Sequence, residues 1–302
     1  LTGVPVLGVL PYLDLDLPSE DSVSLGDKRS APAGESLEIA VIRLPRISNF
    51  TDFEPLERLA HVRYVSLSEP LGHPDAVIIP GTKNTVSDLR EMQEKGMDRQ
   101  IKSLENTPVL GICGGYQMLG REIVDCGIED TVGSIPALGL LDAITRFDLY
   151  EKKTVQVEKT VTGGGPILEP IQGQRVKGYE IHMGLTSPAE EHAFGDDGAV
   201  SGSGIVIGTY LHGLFDNENF RAAFLDFLRR RKEEKKDEGK KENKEKSMHE
   251  VEKSSETGRP QIQSDAIASE GYALQSDGFD RLARATEAHL DMKKIYQMLD
   301  LD

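Results

Sequence analysis

Residues 108–120 constrain the fold of this chain more than any other stretch. An apolar run with a proline at its edge leads into two adjacent glycines and then into helix-favouring residues, which predicts a strand, a sharp turn and a helix. Cys113 stands at the junction, in a G-x-C-x-G pattern with Gly111 and Gly115. This pattern is the thiol form of the nucleophile elbow, in which glycines allow a turn tight enough to expose one side chain above a sheet.

The position of Cys113 also predicts its chemistry. A thiol at a helix N-terminus faces unpaired N–H groups and the positive end of the helix dipole, which favour the nucleophilic thiolate. The alternative is a buried cysteine that packs as a small hydrophobe. The glycines on both sides of Cys113 favour the nucleophile.

Charge and composition argue against several classes of function. The 302 residues include 35 Lys and Arg against 51 Asp and Glu, and the net charge of −16 repels nucleic acid and anionic lipid. The sequence has no apolar run of membrane-spanning length, and its two cysteines, Cys113 and Cys126, indicate neither a disulfide framework nor a metal site. We expect no nucleic-acid partner, no membrane partner, no metal, and a cytoplasmic location.

Composition and apolar periodicity divide the chain into five regions. In order, they are residues 1–17, 18–36, 37–228, 229–264 and 265–302. The first carries a strand pattern at residues 4–10 that begins almost at Leu1, which is not an initiator, so we expect the last strand of a domain that is otherwise missing. The second is an acidic linker rich in Ser, Pro and Gly.

The third region is the main domain. The fourth is nearly all charged from residue 229 to about 246, with mixed signs, and is linker-like as far as residue 264. It is expected to be a solvated linker, an insertion or an exposed extension of a helix that begins near residue 219. The fifth has apolar residues at helical spacing, which predicts one or two amphipathic helices that dock on the main domain.

Strands and helices alternate in the first half of the main domain. Strands are expected at residues 37–44, 62–67, 75–79 and 108–112, with helices at 53–60, where Asp52 is a candidate cap, and at 85–104. The alternation predicts an α/β fold with an open, mostly parallel sheet and flanking helices, followed by a β-rich second half. In such sheets ligands bind at the carboxyl ends of strands, where Gly81 and Cys113 both fall.

Two histidines are candidates for the base that a thiol nucleophile requires. His212 ends a predicted core strand at residues 204–212, at the edge of the sheet where Cys113 is expected, so His212 is the predicted base. Glu180 and His182 share one face of another strand, and spacing alone does not decide which of them approaches the thiol.

The turn at residues 80–85 predicts a further element of the site. The N–H groups of Gly81 and Gly114 could together form an oxyanion hole beside Cys113. A simple strand-to-helix turn is the alternative for this segment.

Several segments together resemble class I glutamine amidotransferases. They are residues 41–53, the turn at 80–85, the Cys113 elbow, and residues 178–184 and 208–215. More narrowly, they are similar to the carboxy-terminal glutaminase half of the cobyric acid synthase family. Residues 3–17 resemble the last strand of that family's ATP-dependent synthetase domain, and residues 279–299 resemble its terminal helices.

The resemblance implies a flavodoxin-like fold and a set of roles. Cys113 would be the nucleophile, His212 the base, Gly81 and Gly114 the oxyanion donors, and Gln117 a contact for glutamine. The family transfers ammonia from glutamine to side-chain carboxylates of a corrinoid acceptor, adenosylcobyrinic acid a,c-diamide, in cobalamin synthesis. ATP and Mg²⁺ would serve the missing synthetase domain, and this chain, which lacks a G-x-x-x-x-G-K-[ST] phosphate loop, would need no cofactor.

One departure concerns the group that orients the base. Many class I amidotransferases follow the base with Pro-x-Glu, whereas Gly213, Leu214 and Phe215 follow His212 here. The orienting group is therefore absent or comes from elsewhere, and Glu180 is the candidate.

Three other functions stay open. A sister glutaminase, for cobyrinic acid a,c-diamide formation or cell-wall lipid amidation, would share the elbow and His212, although residues 82–85 and the leading strand favour cobyric acid synthase. A cysteine hydrolase or peptidase of the same fold would also carry the elbow. A non-catalytic binding module would not need Cys113 and His212.

Overall fold

The structure is a computed structural model that describes residues 6–11, 36–129, 131–148, 153–251 and 276–298, with side chains described for these residues except 238–251 and 276–281. The strands are β1 (Glu38–Arg43), β2 (Ile47–Ser48), β3 (His61–Ser66), β4 (Ala76–Ile79), β5 (Gly81–Thr82), β6 (Val109–Ile112), β7 (Glu122–Cys126), β8 (Val132–Pro136), β9 (Ala143–Phe147), β10 (Lys153–Thr160), β11 (Arg175–His182), β12 (Leu185–Pro188), β13 (Ala199–Val200), β14 (Val206–Thr209) and β15 (Leu211–His212). The helices are α1 (Glu54–Glu57), α2 (Thr85–Lys95), α3 (Met97–Lys102), α4 (Gly114–Leu119), α5 (Gly165–Leu168), α6 (Glu218–Val251), α7 (Ser276–His289) and α8 (Met292–Met298).

A six-stranded sheet forms the centre of the main unit, in the order β13-β14-β6-β4-β1-β3. Every neighbouring pair is parallel except β13 with β14. Both faces of this sheet are buried: on β1, Ile39 and Val41 belong to one apolar cluster, while Ala40 and Ile42 belong to the other. Burial on both faces explains the continuous apolar runs of these strands. The prediction of an open, mostly parallel sheet is confirmed.

Smaller sheets make up the β-rich second half, as predicted. One has four strands in the order β12-β9-β7-β8, and another has three strands in the order β10-β11-β15. A two-stranded ribbon, β2 with β5, lies among the first-half elements. The ribbon joins residues that follow β1 to residues that follow β4, so it lies at the carboxyl-end edge of the central sheet.

The predicted strand at residues 204–212 is broken in the structure. β14 ends at Thr209, a corner follows at Tyr210, and β15 then pairs with β11 in the three-stranded sheet. Buried Asp197 stabilises the corner, because its carboxylate accepts the Thr209 hydroxyl and the N–H of Tyr210. His212 therefore lies in a different sheet from the strand that leads to it.

The predicted helix at residues 53–60 begins earlier than expected. A 3₁₀ turn spans Phe50–Phe53, preceded by Asn49 with φ 54° as its N-cap, and α1 follows directly. Asp52 is consequently inside the turn and does not cap α1. This difference frees the Asp52 carboxylate for another contact.

Contacts within the chain divide it into two units. The first unit consists of Leu1–Ser19 and Ser254–Asp302, and the second consists of Glu20–Lys253. In the first unit, residues 6–11 form one β-bridge, between Gly8 and Leu290, in place of the predicted strand, and α7 and α8 are helical as predicted. In the second unit, α6 continues through the charged run as far as Val251. The linker at 18–35 and residues 252–264 lie outside the described residues. No helix in the described ranges has the length and apolar character needed to cross a membrane.

Candidate active site

The elbow sits between the central strand β6 and helix α4. Cys113 has φ 53° and ψ −110°, a backbone conformation that residues other than glycine rarely adopt. A Cβ atom on Gly115 would lie 2.0 Å from the carbonyl oxygen of Ile79, and one on Gly111 would lie 2.7 Å from that of Gly115. The turn that displays Cys113 therefore requires glycine at both flanking positions.

His212 is held by a carboxylate and by an aromatic ring. Its Nδ1 lies 2.7 Å from Asp52 Oδ2, and the N–H of Gly213 donates to the other oxygen of Asp52 at 3.0 Å. The Tyr179 ring stacks on the imidazole with centroids 5.1 Å apart and an interplanar angle of 17°. These contacts fix the plane of the ring and the roles of its two nitrogens.

The surroundings of His212 favour its protonated form. Burial alone lowers the pKa of the imidazole, but the hydrogen bond to Asp52 and the neighbouring Cys113 outweigh it and raise the pKa to about 10. The thiol itself donates to the carbonyl oxygen of Ile181 at 3.4 Å, and Nε2 of His212 is buried without a well-formed hydrogen bond to any described residue. Nε2 is thus available to exchange a proton with a reacting group.

The structure brings both predicted oxyanion donors to this site. A Cβ atom on Gly81 would lie 3.2 Å from Cε1 of His212 and 3.6 Å from Cβ of Cys113. One on Gly114 would lie 3.2 Å from the backbone nitrogen of Thr82. Both segments therefore pack closely beside the thiol, where a side chain at either glycine would meet its neighbours.

Asp88 anchors the ribbon that carries Gly81. This buried carboxylate accepts the Thr82 hydroxyl at 2.5 Å and both the backbone and the guanidinium of Arg46, at 3.1 and 2.7 Å. Thr82 of β5 and Arg46, the residue before β2, are thereby attached to α2.

A cavity of about 340 Å³ opens beside the thiol. Its lining residues are Ser48, Asn49, Thr82, Lys83, Thr85, Cys113, Gln117, Glu129, Ile181, His182 and Met183.

The amide of Gln117 is fully engaged by protein groups. It donates to Met183 O at 2.8 Å and to the Tyr210 hydroxyl at 3.2 Å, and it accepts from Thr85 Oγ1 at 2.7 Å. Gln117 therefore reaches the cavity wall in one fixed orientation.

Glu180 does not contact His212. It is buried on β11, where it pairs with Lys153 and with Lys159 at 3.1 Å, and lies 3.8 Å from Nε2 of His182. Burial raises the pKa of Glu180, but the two lysines outweigh it and lower the pKa. Asp52, not Glu180, makes the orienting contact to the His212 imidazole.

Sequence reasoning missed Asp52. The missing Pro-x-Glu motif indicated that the orienting group is absent or comes from elsewhere, and Asp52, considered only as a helix cap, is 160 positions from His212. The available signal was an aspartate just after the carboxyl end of the first strand, where a sheet of this kind places its ligand site.

Among the described residues, no group of three or more His, Cys, Asp and Glu side chains is arranged to hold a metal ion.

Comparisons with known proteins identify the family of the chain. The chain is 53% identical to the "probable cobyric acid synthase" of Methanococcoides burtonii over an alignment of 308 positions, which covers 100% of this chain and 55% of that protein. It is 46% identical to the "cobyric acid synthase" of Pelotomaculum thermopropionicum over an alignment of 319 positions, which covers 99% of this chain and 56% of that protein. The chain thus spans about half the length of the curated relatives it matches.

A solved structure, PurLQS from Thermotoga maritima, aligns with 64% of this chain and 98% of its own at a TM-score of 0.45 and 17% identity. The sequence pattern of the CobB/CobQ-like glutamine amidotransferase domain matches residues 38–220, more than half of the chain. The matched residues include the elbow, the strand-end turn and His212. The chain belongs to the family of CobB/CobQ-like glutamine amidotransferase domains.

Proposed function

We propose that this chain is the glutamine-hydrolysing part of a cobyric acid synthase. It releases ammonia for the ATP-dependent amidation of carboxylates of adenosylcobyrinic acid a,c-diamide in cobalamin biosynthesis. The observation that carries the proposal is the placement of Cys113, on a strained elbow, beside an imidazole held by Asp52. The names of the matching relatives favour this acceptor over those of the sister glutaminases.

The first half of the reaction forms a thioester. The Cys113 thiol first gives its proton to Nε2 of His212. The resulting thiolate attacks the side-chain amide carbon of glutamine, while the N–H groups of Gly81 and Gly114 stabilise the negative charge on the oxygen. Protonated His212 then donates its proton from Nε2 to the leaving nitrogen. Ammonia departs, and the glutamyl group remains on the sulfur.

The second half returns the site to its starting state. Neutral His212 removes a proton from a water molecule, which attacks the thioester carbon, and glutamate leaves. Asp52 stabilises the imidazolium that reforms, through the 2.7 Å contact to Nδ1. The proton balance closes with one water consumed for each ammonia released.

Activation of the acceptor belongs to another part of the protein. Among the described residues no group of His, Cys, Asp and Glu side chains is arranged to hold Mg²⁺, and the sequence has no phosphate loop to bind ATP. We assign both to the part of the longer relatives that this chain does not cover. We place the reaction in the cytoplasm, because Cys113 must stay reduced and both cysteines are free thiols.

The test is to incubate the purified chain with glutamine, ATP, Mg²⁺ and adenosylcobyrinic acid a,c-diamide. Glutamate release and the mass of the corrinoid are followed separately, and labelling of Cys113 by the electrophilic glutamine analogue 6-diazo-5-oxo-L-norleucine is followed by mass spectrometry. We expect glutamate and labelling without any gain of amide groups. Amidation by this chain alone, or a chain that neither releases glutamate nor is labelled, would contradict the proposal.

A further inference from the structure

Asn49 has a backbone conformation that the hydrolysis steps above do not explain. Its φ of 54° and ψ of 37° lie in the left-handed region, which residues other than glycine seldom occupy and which costs free energy. Among the described residues, the other side-chain-bearing residues with a positive φ are Asn106 and Cys113. Cys113 is the nucleophile and Asn106 is exposed in a turn, so the conformation of Asn49, beside the site, calls for a reason of its own.

The backbone of Asn49 fixes the turn that carries Asp52. The carbonyl oxygen of Asn49 accepts the N–H of Asp52 at 3.0 Å, at the start of the 3₁₀ turn Phe50–Phe53. The Asp52 carboxylate in turn lies 2.7 Å from Nδ1 of His212. Because the left-handed residue immediately precedes this turn, it sets the direction in which Asp52 is presented to the imidazole.

The side chain of Asn49 holds the ring that stacks on the same imidazole. Its Nδ2 donates to the Tyr179 hydroxyl at 2.6 Å. Tyr179 and His212 are directly opposite each other on β11 and β15, and their rings stack with centroids 5.1 Å apart. Asp52 therefore meets the edge of the imidazole, Tyr179 covers its face, and Asn49 bonds to both.

The direction of the imidazole depends on these contacts. Nε2 of His212 is buried without a well-formed hydrogen bond to a described residue, so the ring is oriented at Nδ1 and at its face. Asn49 also directly follows Ser48 of β2, which is paired with Gly81 in the ribbon. One residue thus connects the imidazole to the segment that carries an oxyanion donor.

From this closed set of contacts we infer that Asn49 is a positioning residue, which aims Nε2 of His212 at the reacting atoms through Asp52 and Tyr179. Both proton transfers in the reaction require Nε2 at the same place, so a ring held at its edge and its face serves both. The inference rests on the proposed glutaminase function and adds to it a residue that controls the rate of the chemical steps.

The test removes the contact between Asn49 and Tyr179 from each side. Asn49→Gly deletes the amide while glycine adopts the positive φ without strain, and Tyr179→Phe deletes the hydroxyl while keeping the ring. The double variant completes a cycle that measures the coupling of the two residues. Asn106→Gly is the matched control, because Asn106 has a φ of 56°, is exposed and does not line the cavity.

We expect each single variant to lower kcat for glutamine by about 10- to 10²-fold, because a misdirected acid slows proton transfer. KM should change by less than about 3-fold, since no contact to the substrate is removed. The double variant should lose no more than the worse single variant, because both substitutions delete one contact. Asn106→Gly should keep the kcat of the unaltered chain.

The proton on Nδ1 of His212 provides a readout that does not depend on turnover. A proton bonded to a buried carboxylate exchanges slowly with water and gives a far-downfield signal in the ¹H NMR spectrum. In Asn49→Gly and in Tyr179→Phe this signal should shift and broaden, although neither substitution alters Asp52. Asn106→Gly should leave it unchanged.

Several outcomes would overturn the inference while leaving the glutaminase function standing. They are an unchanged kcat in the single variants, losses that add in the double variant, a loss confined to KM, and a lower kcat with an unchanged Nδ1 signal. Tyr179→Phe decides the matter even when Asn49→Gly does not fold. A chain that neither hydrolyses glutamine nor is labelled at Cys113 would contradict the proposed function, and the Nδ1 signal would still test the contacts of Asn49.

Discussion

At the scale of single residues, Asp52 controls the proton on His212. Asp52→Asn removes the charge that raises the pKa of the imidazole, so burial should then dominate and the pKa should fall well below about 10. We expect turnover to drop about 10²- to 10⁴-fold, as for other catalytic histidines that lose their carboxylate.

The measurement is the pH dependence of glutamine turnover in both proteins. In the unaltered chain the protonated form of His212 is lost as pH rises through about 10, so turnover should fall on this alkaline limb of the pH profile. In Asp52→Asn the same fall in turnover should occur at lower pH. An unchanged limb with unchanged turnover would show that Asp52 does not orient the base.

The same raised pKa predicts a pH-dependent contribution to stability. His212 titrates at about 10 in the folded chain against 6.5 for an ordinary histidine, so its stabilising contribution is complete below pH 6.5 and is lost as pH rises through about 10. Urea unfolding should therefore separate the unaltered chain from Asp52→Asn most widely near pH 6. A separation that does not shrink between about pH 6 and about pH 10 would disprove this linkage.

The two cysteines provide an internal comparison. Cys113→Ser should abolish glutamine hydrolysis, because the hydroxyl that replaces the thiol is a much weaker nucleophile at neutral pH. Cys126→Ser should leave turnover nearly intact, since Cys126 is exposed on β7 and is not part of the cavity wall. Glutamate release by each variant at matched unfolding temperature is the measurement, and equal losses would remove Cys113 from its role.

Part of the candidate site could be predicted from short sequence patterns, and the rest depends on contacts between residues far apart in the sequence. Cys113 and the glycines around it lie within one short segment, so their spacing alone indicates a reactive elbow. The contact between Asp52 and His212 depends on a turn after β1 and on the corner at Tyr210, each set by contacts with remote residues. Such contacts leave no periodicity in the sequence.

At the scale of elements, the elbow is limited by backbone packing. Gly115→Ala would place a methyl group 2.0 Å from the carbonyl oxygen of Ile79, so β4 and α4 would have to separate. We expect a loss of at least about 2 kcal/mol of stability, as in other overpacked cores, together with loss of Cys113 labelling. Thermal unfolding measures the first effect.

Gly202→Ala is the control for that variant. Gly202 lies in a turn, and no atom would come within 4 Å of the added methyl group. This variant should unfold within about 2 °C of the unaltered chain, because surface changes of this kind cost little. Comparable destabilisation by both substitutions would mean that the elbow is not tightly packed.

The elements of the central sheet were predictable because burial on both faces leaves long apolar runs, as in β1 and β4. The run at residues 204–212 has the same appearance, yet it divides between two sheets. The cause is Asp197, a polar residue outside the run, which binds the backbone at Tyr210. Apolar pattern predicts that a segment is buried, but not which neighbour it pairs with.

At the scale of the whole molecule, the site belongs entirely to one unit. Both apolar clusters draw their residues from the span between Leu37 and Leu228. A chain shortened to residues 36–251 should therefore fold and retain labelling of Cys113. Its unfolding temperature should change by less than about 4 °C, the shift that 1 kcal/mol produces at this size. Aggregation or lost labelling in the shortened chain would show that the other unit is needed.

The corner at Tyr210 has a consequence for the timing of reactivity during synthesis. Cys113 follows a strand of the six-stranded sheet, His212 lies in the three-stranded sheet, and Asp52 lies in a turn outside both. No continuous segment holds two of the three groups, so a half-folded chain does not bring them together. Hydrolysis of glutamine therefore begins only after both sheets and the turn that carries Asp52 have formed.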